Sequence, residues 1–131
     1  YIAVHYEATD SLKYCLEYIR GAGVKSGLVI SPDTPARLAF DYLAYADMAL
    51  VMSVYPGFGG QKFIPSAIDK LRIISSEIKR RNLDVRLEID GGVGLDNIAV
   101  IKTAGADTVV AGSAVFNADD PGAVISALRG E

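Results

Sequence analysis

Tryptophan is absent, and histidine and cysteine occur once each, at His5 and Cys15. A lone cysteine excludes an internal disulfide, and one histidine beside it excludes a His/Cys metal centre complete within the chain. No Ser-His-Asp set is suggested either. Cys15 falls on the apolar side of a helical pattern, so a core thiol is expected rather than a reactive one. An unpaired thiol suits a reducing compartment, and a cytoplasmic location is expected. Basic excess is also lacking. The net charge is −3 over 131 residues, which argues against a nucleic-acid partner. No apolar run approaches the roughly 20 residues that span a bilayer, and no signal-peptide pattern is visible, so no membrane partner is expected. The chain opens at Tyr1, inside what reads as a strand, and a fragment of a longer protein is therefore expected.

Glycine, by contrast, is plentiful and clustered. Half the residues are hydrophobic and 22% are charged, ordinary values for one globular domain spanning 1–131. The densest cluster follows the apolar run Met48–Val54, which reads as a strand buried on both faces. Tyr55-Pro56 ends it, because proline has no N–H for a ladder. Gly57, Gly59 and Gly60 follow, with Phe58 between them. Glycine visits positive φ freely, so such a loop can turn several N–H groups toward one point and cradle an anion. A tight turn that needs glycine only for geometry accounts for the spacing equally well. The spacing matches neither the dinucleotide fingerprint nor the P-loop.

The rest of the chain repeats strand then helix. Strands are expected at Tyr1–His5, Ser26–Ser31, Val85–Asp90 and Asp107–Ala111. Helices are expected after Asp10-Ser11, which can cap the first, after Thr34-Pro35 as N-cap and first helical position (carrying Leu38, Tyr42 and Leu43), from Pro65 to about Arg81, from Asn97 to Ala104 and from Pro121 to Leu128. In the third helix Ile64, Ile68, Leu71, Ile74 and Ile78 form the apolar stripe, while Asp69, Lys70, Glu77, Lys79 and Arg80 are expected in solvent. Five β-α units imply an α/β fold with a parallel sheet and right-handed crossovers. Doubly wound and barrel sheets both fit. Alternating Arg86, Glu88 and Asp90 suit a barrel lumen, and glycine loops after late strands suit barrel phosphate sites.

Asp90 is the leading candidate for chemistry. It ends a strand, precedes Gly91-Gly92, and could transfer a proton or bind a metal. A structural carboxylate bonded to its own glycine turn is the competing reading. Gly112-Ser113 could offer N–H groups and a hydroxyl to a phosphate, or be a plain turn. His5 near a strand end is more simply an interior hydrogen-bonded residue, and Met52 a packing one.

Four stretches carry a family resemblance. His5-Tyr6-Glu7-Ala8, Val51 to Phe63, Leu87-Glu88-Ile89-Asp90-Gly91-Gly92-Val93 and Ala111 to Phe116 resemble ribulose-phosphate 3-epimerases, in that family's order and spacing. The resemblance implies a TIM (β/α)8 barrel, of which this chain supplies the fourth to eighth strands. It implies interconversion of D-ribulose 5-phosphate and D-xylulose 5-phosphate in the pentose phosphate pathway. Asp90 would be the catalytic acid/base and a ligand of a divalent metal, zinc or iron, with manganese or cobalt as options. Gly57, Phe58, Gly59, Gly60, Asp90, Gly91, Gly92, Gly112, Ser113 and Met52 would contact the sugar phosphate, and His5 would not bind metal. Tyr55 departs from the Asn or Glu usual in relatives. The family's first-strand serine, second-strand His-x-Asp and third-strand histidine have no counterpart here. The isolated chain is therefore expected to be inactive, and its two unpaired sheet edges imply disorder upstream, association with another copy as a homo-oligomer, or a missing N-terminal segment. Two other readings remain: a hexulose-phosphate relative such as allulose 6-phosphate 3-epimerase, and a non-catalytic phosphosugar-binding half barrel.

Overall fold

A computed structural model describes all 131 residues. Five strands form one sheet: β1 (Ile2–His5), β2 (Ser26–Ile30), β3 (Met48–Met52), β4 (Arg86–Asp90) and β5 (Thr108–Val110). They lie side by side in chain order and every pairing is parallel. A doubly wound sheet reverses its order at a switch point. No reversal occurs here, so the sheet is wound like the wall of a (β/α)8 barrel.

Register divides the side chains between two faces. Leu28, Ala49 and Leu87 lie in one row, Ile30, Val51 and Ile89 in the next. This face carries the helices. α1 (Leu12–Gly21), α2 (Ala67–Arg80), α3 (Ile98–Ala104) and α5 (Pro121–Arg129) press Leu12, Leu16, Leu71, Ile74, Ile101 and Leu128 onto it, and 22 buried residues form one continuous core. Each fully buried Leu or Ile there contributes about 1.5–3 kcal/mol. On the opposite face Val29, Met52 and Val54 form a small buried cluster, with Leu50 against them. Glu88 and Asp90 share that second face, in the rows of Leu50 and Met52. Two-sided helical cover is thus replaced by a one-sided core and a polar inner wall.

The strands' amino ends are tied by a repeated Ala-Asp pair. Asp47, just before β3, accepts the Ser26 N–H at 2.8 Å and is gripped by Arg20. Asp107, just before β5, accepts the Leu87 N–H at 3.1 Å. These ties lie at the end of the sheet away from the glycine loops, where a barrel keeps its stabilising contacts.

Several expectations are corrected. The helix expected after Thr34-Pro35 is two 3-10 turns, Ala36–Ala39 and Leu43–Tyr45, which bury Ala36, Ala39 and Leu43 and leave Leu38 in solvent. Thr34 does not cap, because its hydroxyl is committed to the Glu7 carboxylate. Ser11 does not cap α1 through its side chain; its N–H is instead taken by the Thr9 hydroxyl. Cys15 is half-buried rather than a core residue. Lys70 is not solvated. Its ammonium donates to the carbonyls of Ser31, Pro32 and Thr34, clamping α2 to the loop after β2. A short α4 (Ser113–Phe116) follows β5 where only a loop was anticipated.

Candidate active site

Three strands deliver their carboxyl ends to one place. β3 runs through Met52 into buried Ser53 and Val54, then turns at Tyr55-Pro56 into the glycine loop. β4 ends on Asp90 and β5 on Val110, and register sets Met52, Asp90 and Val110 side by side. A cleft of about 320 Å³ opens over them. Met52, Gly57, Phe58, Gly59, Gly60, Asp90, Gly91, Gly92, Gly112 and Ser113 all line it. The ten residues named from sequence therefore share one cavity, although they come from three loops.

Ser53 joins two of those loops. It is fully buried, its N–H and hydroxyl both donate to the Asp90 carbonyl, and the hydroxyl also reaches the Gly91 carbonyl at 2.6 Å. The turn after Asp90 needs glycine for two reasons. Gly91 has φ +123°, and a Cβ on it would lie 2.5 Å from a Val54 methyl. Gly92 has φ +64°, and its Cβ would meet the Phe63 backbone at 2.6 Å. The two glycine loops therefore pack backbone against backbone, which sets where Asp90 sits.

The backbone here is rich in free donors. None of the N–H groups from Gly57 to Phe63 donates to a protein acceptor, and neither do those of Gly91, Gly92, Gly112 and Ser113. Several unpaired N–H groups around one cleft suit an oxyanion. Neither Lys, Arg nor His lines the cleft. Asp90 is half-buried, and burial raises its carboxyl above the usual range. Glu88, one step deeper on the same face, is raised by burial first and then by the Asp90 charge; Arg86 opposes the shift.

His5 is not brought to this place. It sits on β1, three strands from Asp90, with its ring nitrogen 3.6 Å from Glu7. No group of three or more His, Cys, Asp or Glu side chains comes together. The chain's own residues therefore do not make a metal centre; Asp90 is a single carboxylate at the cleft. Sequence reasoning missed Ser53, Glu88 and Gln61 as parts of the site. Gln61 directly follows the glycine cluster and Ser53 lies four residues before it, and that nearness was the available signal.

Comparison with known proteins shows the family. The model of the ribulose-phosphate 3 epimerase family matches residues 1–116. The chain belongs to that family. Among the epimerases it is similar to, the ribulose-phosphate 3-epimerase of Mycobacterium bovis is 45% identical over 128 residues, covering 98% of this chain and 56% of the relative. That of Escherichia coli K12 is 46% identical over 134 residues, covering 99% and 58%. The chain thus spans a little over half the length of these epimerases. A crystal structure of 3-hexulose-6-phosphate synthase superposes with a TM-score of 0.70 at 21% identity, over 98% of this chain and 59% of that one. That likeness concerns the fold. No helix is long and apolar enough to cross a membrane.

Proposed function

We propose that this chain carries the phosphate-holding half and one acid/base of a ribulose-phosphate 3-epimerase. The observation that carries the reading is the placement of Asp90 in one cleft with three donor-rich glycine loops. Family membership supports the substrate class.

Epimerisation beside a carbonyl removes the C3 proton from one face and returns a proton to the other. Asp90 would serve one face. Its burial brings the carboxyl closer to neutral pH, which improves it both as base and as acid. The free N–H groups of Gly57–Gly60, Gly91-Gly92 and Gly112-Ser113 would hold the phosphate, fixing C3 against Asp90. Met52, buried beside Asp90, would present a soft apolar wall to the reacting carbons. The second acid/base lies outside these 131 residues. So do the further ligands of a divalent metal, zinc or iron in this reading, to which Asp90 would contribute one carboxylate. That ion would supply charge stabilisation to the enediolate. Turnover then requires the full-length protein, in the cytoplasm, and the 131-residue chain alone is inactive.

The test is an assay of the full-length protein on ribulose 5-phosphate and allulose 6-phosphate in parallel. Higher kcat/KM on the five-carbon substrate is expected. Preference for the six-carbon sugar, or no turnover of either, would overturn the reading.

A further inference from the structure

The glycine loop is folded around one side chain. Gln61 Oε1 accepts the Tyr55 N–H at 3.2 Å, and its Nε2 donates to the carbonyls of Tyr55 and Phe58, the latter at 3.0 Å. A single carboxamide thus ties both arms of a loop that makes no backbone–backbone bond of its own between Tyr55 and Phe63. The choice of partners has an electrostatic consequence. Gln61 engages two carbonyl oxygens, the groups that would repel an anion, while every N–H from Gly57 to Phe63 stays free to donate. No Lys, Arg or His side chain of this chain lines the cleft to compensate for a misplaced carbonyl. Loop conformation therefore decides whether a dianion is attracted or repelled.

We propose that Gln61 is the positioning residue for phosphate: it holds the Gly57–Gly60 backbone in its donor-out form before ligand arrives. This deepens the epimerase reading and rests on it for the identity of the substrate. The loop would otherwise sample many conformers, since three of its four central residues are glycine, and ordering them would oppose binding. Gln61 sits on the surface side of the core, and the 22-residue hydrophobic cluster does not include it. Its replacement should leave the fold standing.

The prediction separates binding from chemistry. In the full-length protein, Gln61→Ala should raise KM for ribulose 5-phosphate and the inhibition constant of inorganic phosphate together, roughly tenfold each, with kcat little changed. Gln61→Glu keeps the acceptor for Tyr55 N–H, loses both donations and adds a negative charge, so it should weaken phosphate more than Ala does. Amide chemical shifts of Gly57, Gly59 and Gly60 should move on phosphate titration in the native protein and move less in both variants. An unchanged phosphate constant in both variants would overturn the proposal, as would a fall in kcat with KM and the phosphate constant held. Because inorganic phosphate is the probe, the result is independent of which sugar is turned over. Loss of phosphate affinity in a protein that fails to epimerise ribulose 5-phosphate would sink the epimerase reading and leave the role of Gln61 standing.

Discussion

At the scale of single residues, the site depends on which glycines are replaceable. Gly91 combines positive φ with a Cβ position inside Val54, whereas Gly59 has open space and no positive φ. Gly91→Ala should destabilise by about 1–3 kcal/mol, and Gly59→Ala should be close to neutral; thermal or urea unfolding of the two variants checks this. Ser53→Ala removes a fully buried hydroxyl that donates to the Gly91 carbonyl at 2.6 Å, while the Asp90 carbonyl keeps the Ser53 N–H, and should cost about 1–3 kcal/mol in the same measurement. The glycine clusters and Asp90 were legible in sequence because their signal is local: a strand pattern ending on a carboxylate and followed by glycine. The roles of Ser53 and Gln61 were not legible. Ser53 reads as one more residue of the Met48–Val54 strand and Gln61 as a loop residue until their partners, 37 and 6 positions away, are known.

Among the elements, the loop after β2 shows how partners distant in sequence override local rules. Glu7 accepts the Ser31 N–H at 2.7 Å and the Thr34 hydroxyl, and Lys70 donates to three carbonyls of the same loop. Tyr55 then donates to Asp33 at 2.8 Å, linking that loop to the glycine loop. Helical periodicity correctly located α1, α2, α3 and α5. It failed at Thr34-Pro35, where Glu7 had already claimed the capping hydroxyl, and at Lys70, where solvation was inferred from the stripe alone. The Glu7 contacts carry a pH signature. Burial alone would raise its carboxyl, but the bonds from Thr34 and Ser31 outweigh this and leave it below the usual range. A depressed carboxyl adds stability above its unfolded pKa and loses it as pH falls through the folded value. Glu7→Gln should therefore lower the melting temperature at neutral pH, and the difference from wild type should shrink on acidification below about pH 4.

Across the whole molecule, the sheet is packed by helices on one face and carries Glu88 and Asp90 beside a small apolar cluster on the other. Parallel order and five strands followed from the β-α rhythm of the sequence; that the helices cover only one face did not. Periodicity alone left barrel and doubly wound sheets open, because it does not report which strands are neighbours; the alternating Arg86, Glu88 and Asp90 and the family resemblance pointed to the barrel, and the observed strand order bears that out. The polar face predicts the opposite pH signature to Glu7. Glu88 is raised by burial and by Asp90, so it adds stability below its unfolded pKa and loses it as pH rises through the folded one. Glu88→Gln should raise the melting temperature at pH 7 and change it little at about pH 3. β1 and β5 each leave one edge unpaired, and exposed edges invite pairing with another chain. Sedimentation of the 131-residue chain should accordingly show association that grows with concentration.

The claim beneath all of this is that Asp90 moves a proton at C3 of a phosphate-anchored sugar. Its most direct measurement is deuterium incorporation at C3 of ribulose 5-phosphate in heavy water, by NMR, with full-length wild type and Asp90→Asn. The account predicts rapid exchange in wild type and a loss of about 10²–10⁴-fold in the variant. Exchange in the variant at the wild-type rate would contradict it.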